Sequence, residues 1–85
     1  MKPHEIRFAR SAWKELESLE KAASNRVLQA IEKLAENPRP VGCKKLQGEK
    51  DAFRIRVGVY RVVYEIEDKK LVVLIVRVRH RKDAY

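Results

Sequence analysis

The chain of 85 residues is poor in the residues that define several protein classes. It has one cysteine, Cys43, so it can form no internal disulfide, and a reducing, cytoplasmic setting is expected. Three glycines and three prolines are too few for a low-complexity or disordered chain. Gly42, Gly48 and Gly58 lie too far apart to cradle a phosphate. No apolar run approaches the roughly 20 residues of a membrane helix, and no signal-peptide core follows Met1. His4, Cys43 and His80 lack metal-ligand spacing, so neither a metal nor another cofactor is expected. The acids form no pair suited to glycosidase chemistry.

What the chain has in excess is positive charge. Twenty Lys and Arg face 12 Asp and Glu, a net charge of +8. The excess is uneven: residues 1–42 balance at +2 and residues 43–85 at +6. Such asymmetry points to a polyanion, most often a nucleic acid, although solubility alone also accounts for a basic surface.

Hydrophobic periodicity organises the sequence into a single domain spanning 1–85. Residues Glu5 to Ala9 alternate as a strand does. Ser11 is placed to cap a helix, and Ala12, Leu16, Leu19 and Ala23 form its apolar stripe, with Trp13 beside it. Glu15, Glu17 and Glu20 are expected to face water. Ser24 or Asn25 opens a second helix with Val27, Leu28, Ile31, Leu34 and Ala35 inside; Pro38 and Pro40 stop it. A Lys-rich connector covers residues 41–51. The period then changes to two. Phe53, Ile55 and Val57 alternate with Arg54 and Arg56, and Gly58-Val59 suits a type II′ turn. Tyr60 to Ile66 is the next strand, residues 67–70 a polar turn, and Leu71 to Val76 a strand apolar on both faces, as if covered on both. The predicted fold is α+β in the order β-α-α-β-β-β. It is a small antiparallel sheet with an N-terminal helical hairpin packed on one face.

The turn at Gly58-Val59 sets a register. Val57 meets Tyr60, Arg56 meets Arg61, Ile55 meets Val62 and Arg54 meets Val63. Arg54, Arg56 and Arg61 therefore share a face, two of them directly opposed. Like charges in opposition destabilise a sheet, and a bound polyanion relieves them. The tail adds Arg77, Arg79, Arg81 and Lys82, with His80 and Tyr85. Guanidinium groups grip phosphate in a fork and stabilise developing negative charge. Histidine exchanges a proton near pH 7. An aromatic ring stacks on an unpaired base. These are the parts for metal-free RNA cleavage by the ribose 2′-OH.

Three segments carry a resemblance over essentially the whole chain: residues 45–48 (KLQG), 53–64 (FRIRVGVYRVVY) and 78–85 (VRHRKDAY). They resemble the RelE/ParE superfamily of bacterial and archaeal toxins, and the tail favours the messenger-cleaving RelE branch over the gyrase-poisoning ParE branch. The resemblance implies a toxin of a type II toxin-antitoxin system that enters the ribosomal A site and cuts mRNA, leaving a cyclic 2′,3′-phosphate. It also implies an antitoxin, RelB-like, helical and acidic. By position, Arg61 matches the family's phosphate-binding arginine, Arg81 its acid or transition-state stabiliser, and Tyr85 its base-stacking tyrosine. Arg54 and Arg56 match two basic residues that are lysines in well-studied RelE toxins. An arginine effectively cannot lose its proton, which leaves His80 as the candidate base. Lys44, Lys45, Arg79 and Lys82 complete the expected RNA-binding set. A gyrase-directed toxin and a non-catalytic RNA- or antitoxin-binding protein are the alternatives.

Overall fold

The computed structural model describes residues 3–48 and 51–83. Its elements are β1 (Glu5–Phe8), α1 (Arg10–Glu17), α2 (Lys21–Lys33), β2 (Lys44–Lys45), β3 (Ala52–Val57), β4 (Tyr60–Glu67) and β5 (Val72–His80). Short 3₁₀ turns at Asp68–Lys70 and Arg81–Asp83 flank β5. The sheet order is β1-β5-β4-β3-β2. Both helices lie on one face, in line with the expected α+β layering.

Two features of the sheet differ from the expectation. It is mixed, because β1 runs parallel to β5 with Ile6 opposite Val73 and Phe8 opposite Ile75. Alternation reveals a strand but not its direction, and this pairing spans more than 60 residues of sequence. The Lys-rich connector also contributes a strand. Lys44 pairs with Arg54 and Lys45 with Phe53, a two-residue ladder too short to show a period.

The helix starts differ as well. Ala9 and Glu20 occupy the N-cap positions, and neither helix has a side-chain cap. Ala9 is fixed in an extended conformation by its N–H bond to the Ile75 carbonyl, and its own carbonyl accepts from Trp13 to start α1. Ser11 is thus already inside the helix. The apolar stripe from Ala12 to Ala23 crosses a break rather than one helix. Ser18 closes α1, and Glu20 is extended before α2 begins. Ala12, Leu16 and Ala23 are all buried, so packing continues where the hydrogen-bond ladder stops.

The core joins Ala12 and Leu16 of α1 and Val27 and Ile31 of α2, with Leu34 just beyond it, to Ile55, Val62, Tyr64, Ile66, Val73, Ile75 and Val78 of the sheet. Each large aliphatic side chain so buried contributes about 1.5–3 kcal/mol relative to exposure. Among the described residues no second layer covers the opposite face of β5. There Val72 lies between Glu5 and Glu67, and Leu74 between Arg7 and Glu65. The aliphatic stems of these flanking residues can cover apolar surface while their heads stay in water.

One irregularity decides which residues of β5 face which way. Val63 is opposite Arg77 but Tyr64 is opposite Ile75, so Val76 is an extra residue, a β-bulge. Val73 and Ile75 point to the core before the bulge, and Val78 does after it. In an unbroken strand, Arg77 and Arg79 would share the face of Val73 and Ile75. The bulge turns both out, since one inserted residue reverses the phase of everything that follows.

The hairpin turn is as the sequence indicates. Gly58 has φ +61°, and Val59 is not among the residues with positive φ, the combination a type II′ turn requires. The loop after α2 is fastened to the sheet by side chains. The buried Tyr64 hydroxyl donates to the Pro38 carbonyl at 2.7 Å, and the Arg39 guanidinium lies 5.3 Å from the centre of the Phe53 ring. Arg39 Nη2 also meets Asp68 Oδ2 at 2.8 Å, and His4 Nε2 is 3.2 Å from Asp68 Oδ1. Burial raises the Tyr64 pKa far above its ordinary value, so the hydroxyl keeps its proton.

Tyr64→Phe removes one hydrogen bond while keeping the ring, and should cost about 1 kcal/mol in urea unfolding; an unchanged midpoint would show that the Pro38 contact contributes nothing. The hydrogen bond from Arg39, and then that from His4, hold the Asp68 carboxyl below its usual pKa. A depressed acid stabilises the fold above its unfolded pKa and loses that contribution as pH falls through the folded one. The thermal midpoint of Asp68→Asn should therefore lie below the parent's at pH 7, and the gap should close as pH drops below about 4.

Candidate nucleic-acid interface

The face of the sheet opposite the helices carries two cross-strand rows. One runs Lys44, Arg54, Val63, Arg77 across β2, β3, β4 and β5. The other runs Arg56, Arg61, Arg79 across β3, β4 and β5. Neighbouring strands lie about 4.8 Å apart, so each row puts its cations within a span of roughly 10–15 Å. The hairpin register inferred from the sequence is found unchanged, with Arg56 opposite Arg61 and Arg54 opposite Val63.

These arginines are not equivalent. Arg56 and Arg77 are exposed, whereas Arg54, Arg61 and Arg79 are half-buried. Two unit charges about 6 Å apart repel by roughly 0.7 kcal/mol in water and by several times more at a lower effective dielectric. Part of this repulsion is offset at one end. Glu15, on α1, reaches the edge of β5, where its Oε2 lies 3.0 Å from Arg79 Nε and 3.8 Å from an Arg77 terminal nitrogen. Its Oε1 accepts the Val78 backbone N–H at 3.0 Å. Glu15 is thus not the water-facing acid that helical spacing suggested. The bulge turns Arg77 and Arg79 to where α1 carries Glu15, and it leaves no sequence signal. Arg77, one of the tail cations noted in the sequence, joins the row of Lys44 and Arg54 because of the same bulge.

The remaining expected residues are distributed differently. Lys45 is opposite Phe53 and so belongs to the helix-side face. His80 is opposite Tyr60, ring centroids 5.6 Å apart and nearly perpendicular, also on the helix-side face. Its Nδ1 accepts the Lys82 N–H at 3.1 Å, which places the proton of the neutral ring on Nε2. Arg81 follows β5, and its N–H donates to the Val59 carbonyl at 2.7 Å, which brings it beside the hairpin turn. Lys82 is exposed in the same 3₁₀ turn. Tyr85 lies outside the described residues.

A cleft of about 760 Å³ adjoins the rows at the β2 and β3 edge. Ala30 and Leu34, Pro40 and Ile55 supply apolar walls, and Arg26, Lys33, Lys44 and Arg56 outnumber Glu36. No group of three or more metal-binding side chains occurs among the described residues. No helix among them is long and apolar enough to cross a membrane.

A sheet with opposed arginines on its open face is the arrangement that comparison with known proteins resolves. The sequence model of ParE toxins of type II toxin-antitoxin systems matches residues 6–85. The chain belongs to the ParE toxin family. Within the wider RelE/ParE superfamily its relatives include Toxin RelG of Mycobacterium tuberculosis, 36% identical over 98% of this chain and 97% of the relative. The mRNA interferase toxin RelE of Escherichia coli is 30% identical over 92% of this chain and 85% of the relative. Among solved structures, the toxin-antitoxin complex RelBE2 of M. tuberculosis contains a chain that superposes with a TM-score of 0.82 at 32% identity, covering 93% of this chain and 99% of that one. The mixed sheet, including the parallel β1, is therefore shared with proteins of the RelE type.

Replacing one of the two opposed arginines should separate stability from binding. Arg56→Thr is expected to raise stability by about 0.2–1 kcal/mol, since it removes a like-charge pair and adds a β-branched residue. It should also lower the slope of log affinity against log salt for single-stranded RNA by about 0.7, the share of one phosphate contact. Unfolding and binding titrations at several salt concentrations read both effects.

Proposed function

We propose that this chain is a toxin that cleaves mRNA on the ribosome, with the Arg56, Arg61, Arg79 row as the phosphate-binding element. The single observation carrying the reading is that row. Three neighbouring strands carry three arginines side by side on one face, the spacing at which guanidinium groups can grip one phosphate together. Relatives named mRNA interferase support the same reaction class.

The chemistry follows from what arginine does. The 2′-OH attacks the adjacent phosphorus and the bond to the 5′-oxygen breaks. The 2′-OH proton passes to water and the departing 5′-oxygen takes a proton from water, leaving a cyclic 2′,3′-phosphate and a 5′-OH, while negative charge accumulates in passing on the non-bridging oxygens. Cations already fixed around that position stabilise it without reorganising. Arg61, in the middle of the row, is the central phosphate ligand. Arg79 and Arg56 flank it, and Arg54, Lys44 and Arg77 extend the track along the backbone. Arg81, beside the hairpin turn, meets the leaving side or the developing charge. Tyr85 stacks on a messenger base, the role the family resemblance implies for it. Arginine stays protonated throughout, so these groups act as cations and not as bases. His80 faces the other side of the sheet with Nδ1 engaged. It therefore serves the conformation of the tail ahead of proton transfer. Lys82 and Lys45 add long-range attraction for RNA.

The partner is an antitoxin of RelB type, acidic in the segment that meets this chain. Support comes from the RelBE2 toxin-antitoxin complex and from the basic lining of the 760 Å³ cleft, which shares Lys44 and Arg56 with the RNA face. A second reading has its own observation: the matching family description names ParE toxins. That reading predicts gyrase-linked DNA damage without cuts in messenger.

Primer extension on messenger from induced cells distinguishes the two, cuts within codons being the expected result. Arg61→Ala should reduce cleavage of ribosome-bound mRNA at least 100-fold, the scale of losing one transition-state ligand. His80→Gln should stay within about tenfold of the parent and keep its pH profile, because a missing general base costs more than that. Loss in His80→Gln equal to that in Arg61→Ala would return the base role to the histidine.

A further inference from the structure

β1 covers the outer edge of β5 only as far as Ile75. Past that point the next backbone donor on the edge, the Val78 N–H, has no strand to receive it. Glu15 fills the gap from α1: Oε1 takes the Val78 N–H at 3.0 Å and Oε2 takes Arg79 Nε at 3.0 Å. One carboxylate thus replaces a strand's carbonyl and grips the side chain next along the chain. Its side chain is 25% exposed, partly withdrawn from solvent, where a charge-assisted hydrogen bond is strengthened.

We propose that Glu15 is a positioning residue for the arginine row. It acts through Arg79 and through the end of β5, and touches no RNA itself. Holding Arg79 by Nε fixes the guanidinium plane relative to Arg61. Holding the Val78 backbone fixes the phase of the strand on which Arg79 and Arg81 are carried. The carboxylate also limits how much of the charge of Arg77 and Arg79 is offered to any passing polyanion. It exchanges some affinity for a defined geometry. The proposal rests on the cleavage reading for its effect on rate, but the anchoring of Arg79 is measurable without it.

Glu15→Gln is the discriminating variant. The amide presents one acceptor where the carboxylate presented two, so Val78 and Arg79 cannot both be held, and the negative charge is gone. Single-turnover cleavage at saturating ribosome concentration should fall about tenfold, the scale of a modest misplacement of a binding group. Affinity for a short single-stranded RNA should rise, with a log–log salt slope steeper by about 0.7 for each cation released. Exchange of the Val78 amide should quicken. Glu15→Asp restores the charge but shortens the reach, so the salt slope should return to the parental value while the rate does not.

A merely structural role moves affinity and rate down together. That pattern, with loss of cooperative unfolding, would overturn the proposal, as would an unchanged rate in both variants. If the parent protein itself leaves ribosome-bound mRNA intact, the cleavage reading has failed. The salt slope and the Val78 amide then decide the anchoring alone: a steeper slope with faster exchange upholds it, and no change in either refutes it.

Discussion

The arrangement of this protein turns on one inserted residue. Val76 bulges out of β5 and reverses the facing of everything after it. Before the bulge, β5 contributes Val73 and Ile75 to the core; after it, Val78 takes over and Arg77 and Arg79 move to the open face. Without the bulge, two arginines would point at the helices and a valine would stand in solvent. A one-residue change of phase in a half-buried strand exchanges its entire apolar and polar sets. The core and the basic face are therefore specified by the same local irregularity.

The open face works against the stability of the sheet that carries it. Arg56, Arg61 and Arg79 stand in one row, and β-propensity does nothing to relieve their repulsion. Compensation comes from the other side of the sheet, where the dry cluster of Val62, Tyr64, Ile66, Val73 and Ile75 meets Val27 and Ile31. It comes also from the clasp of Tyr64, Pro38, Arg39 and Asp68, which ties the loop after α2 to the middle of β4 and to the turn that follows it. Glu15 contributes at the remaining edge. Binding surface and scaffold are thus separated by the thickness of one sheet.

Much of this was legible in the residues. The β3–β4 hairpin announced its own register, because a two-residue turn with glycine first leaves one way to pair Phe53 to Val57 with Tyr60 to Tyr64. Opposed Arg56 and Arg61 followed from counting. What was hidden had no local signal. The direction of β1 depends on a partner more than 60 residues away. The α1–α2 break falls within an apolar stripe that packing keeps continuous, so Leu16 and Ala23 read as one helix. The bulge at Val76 sits in a run of aliphatic residues where alternation cannot be seen. His80, read with the tail arginines, lies on the helix side of the sheet, and Glu15, expected to face water, lies against Arg79.

The parallel pairing of β1 with β5 also constrains the order of events as the chain is made. Synthesis delivers Glu5–Phe8 first and Val72–Ile75 last among their partners, so the N-terminal strand waits unpaired while everything between them is translated. Contacts this far apart in sequence form slowly, because the loop must close before any energy is returned. The arginine row waits for the same strand, since Arg79 and the carboxylate that holds it meet only once β5 is in place. A nascent chain is consequently without its assembled cationic row until β5 has been synthesised and docked.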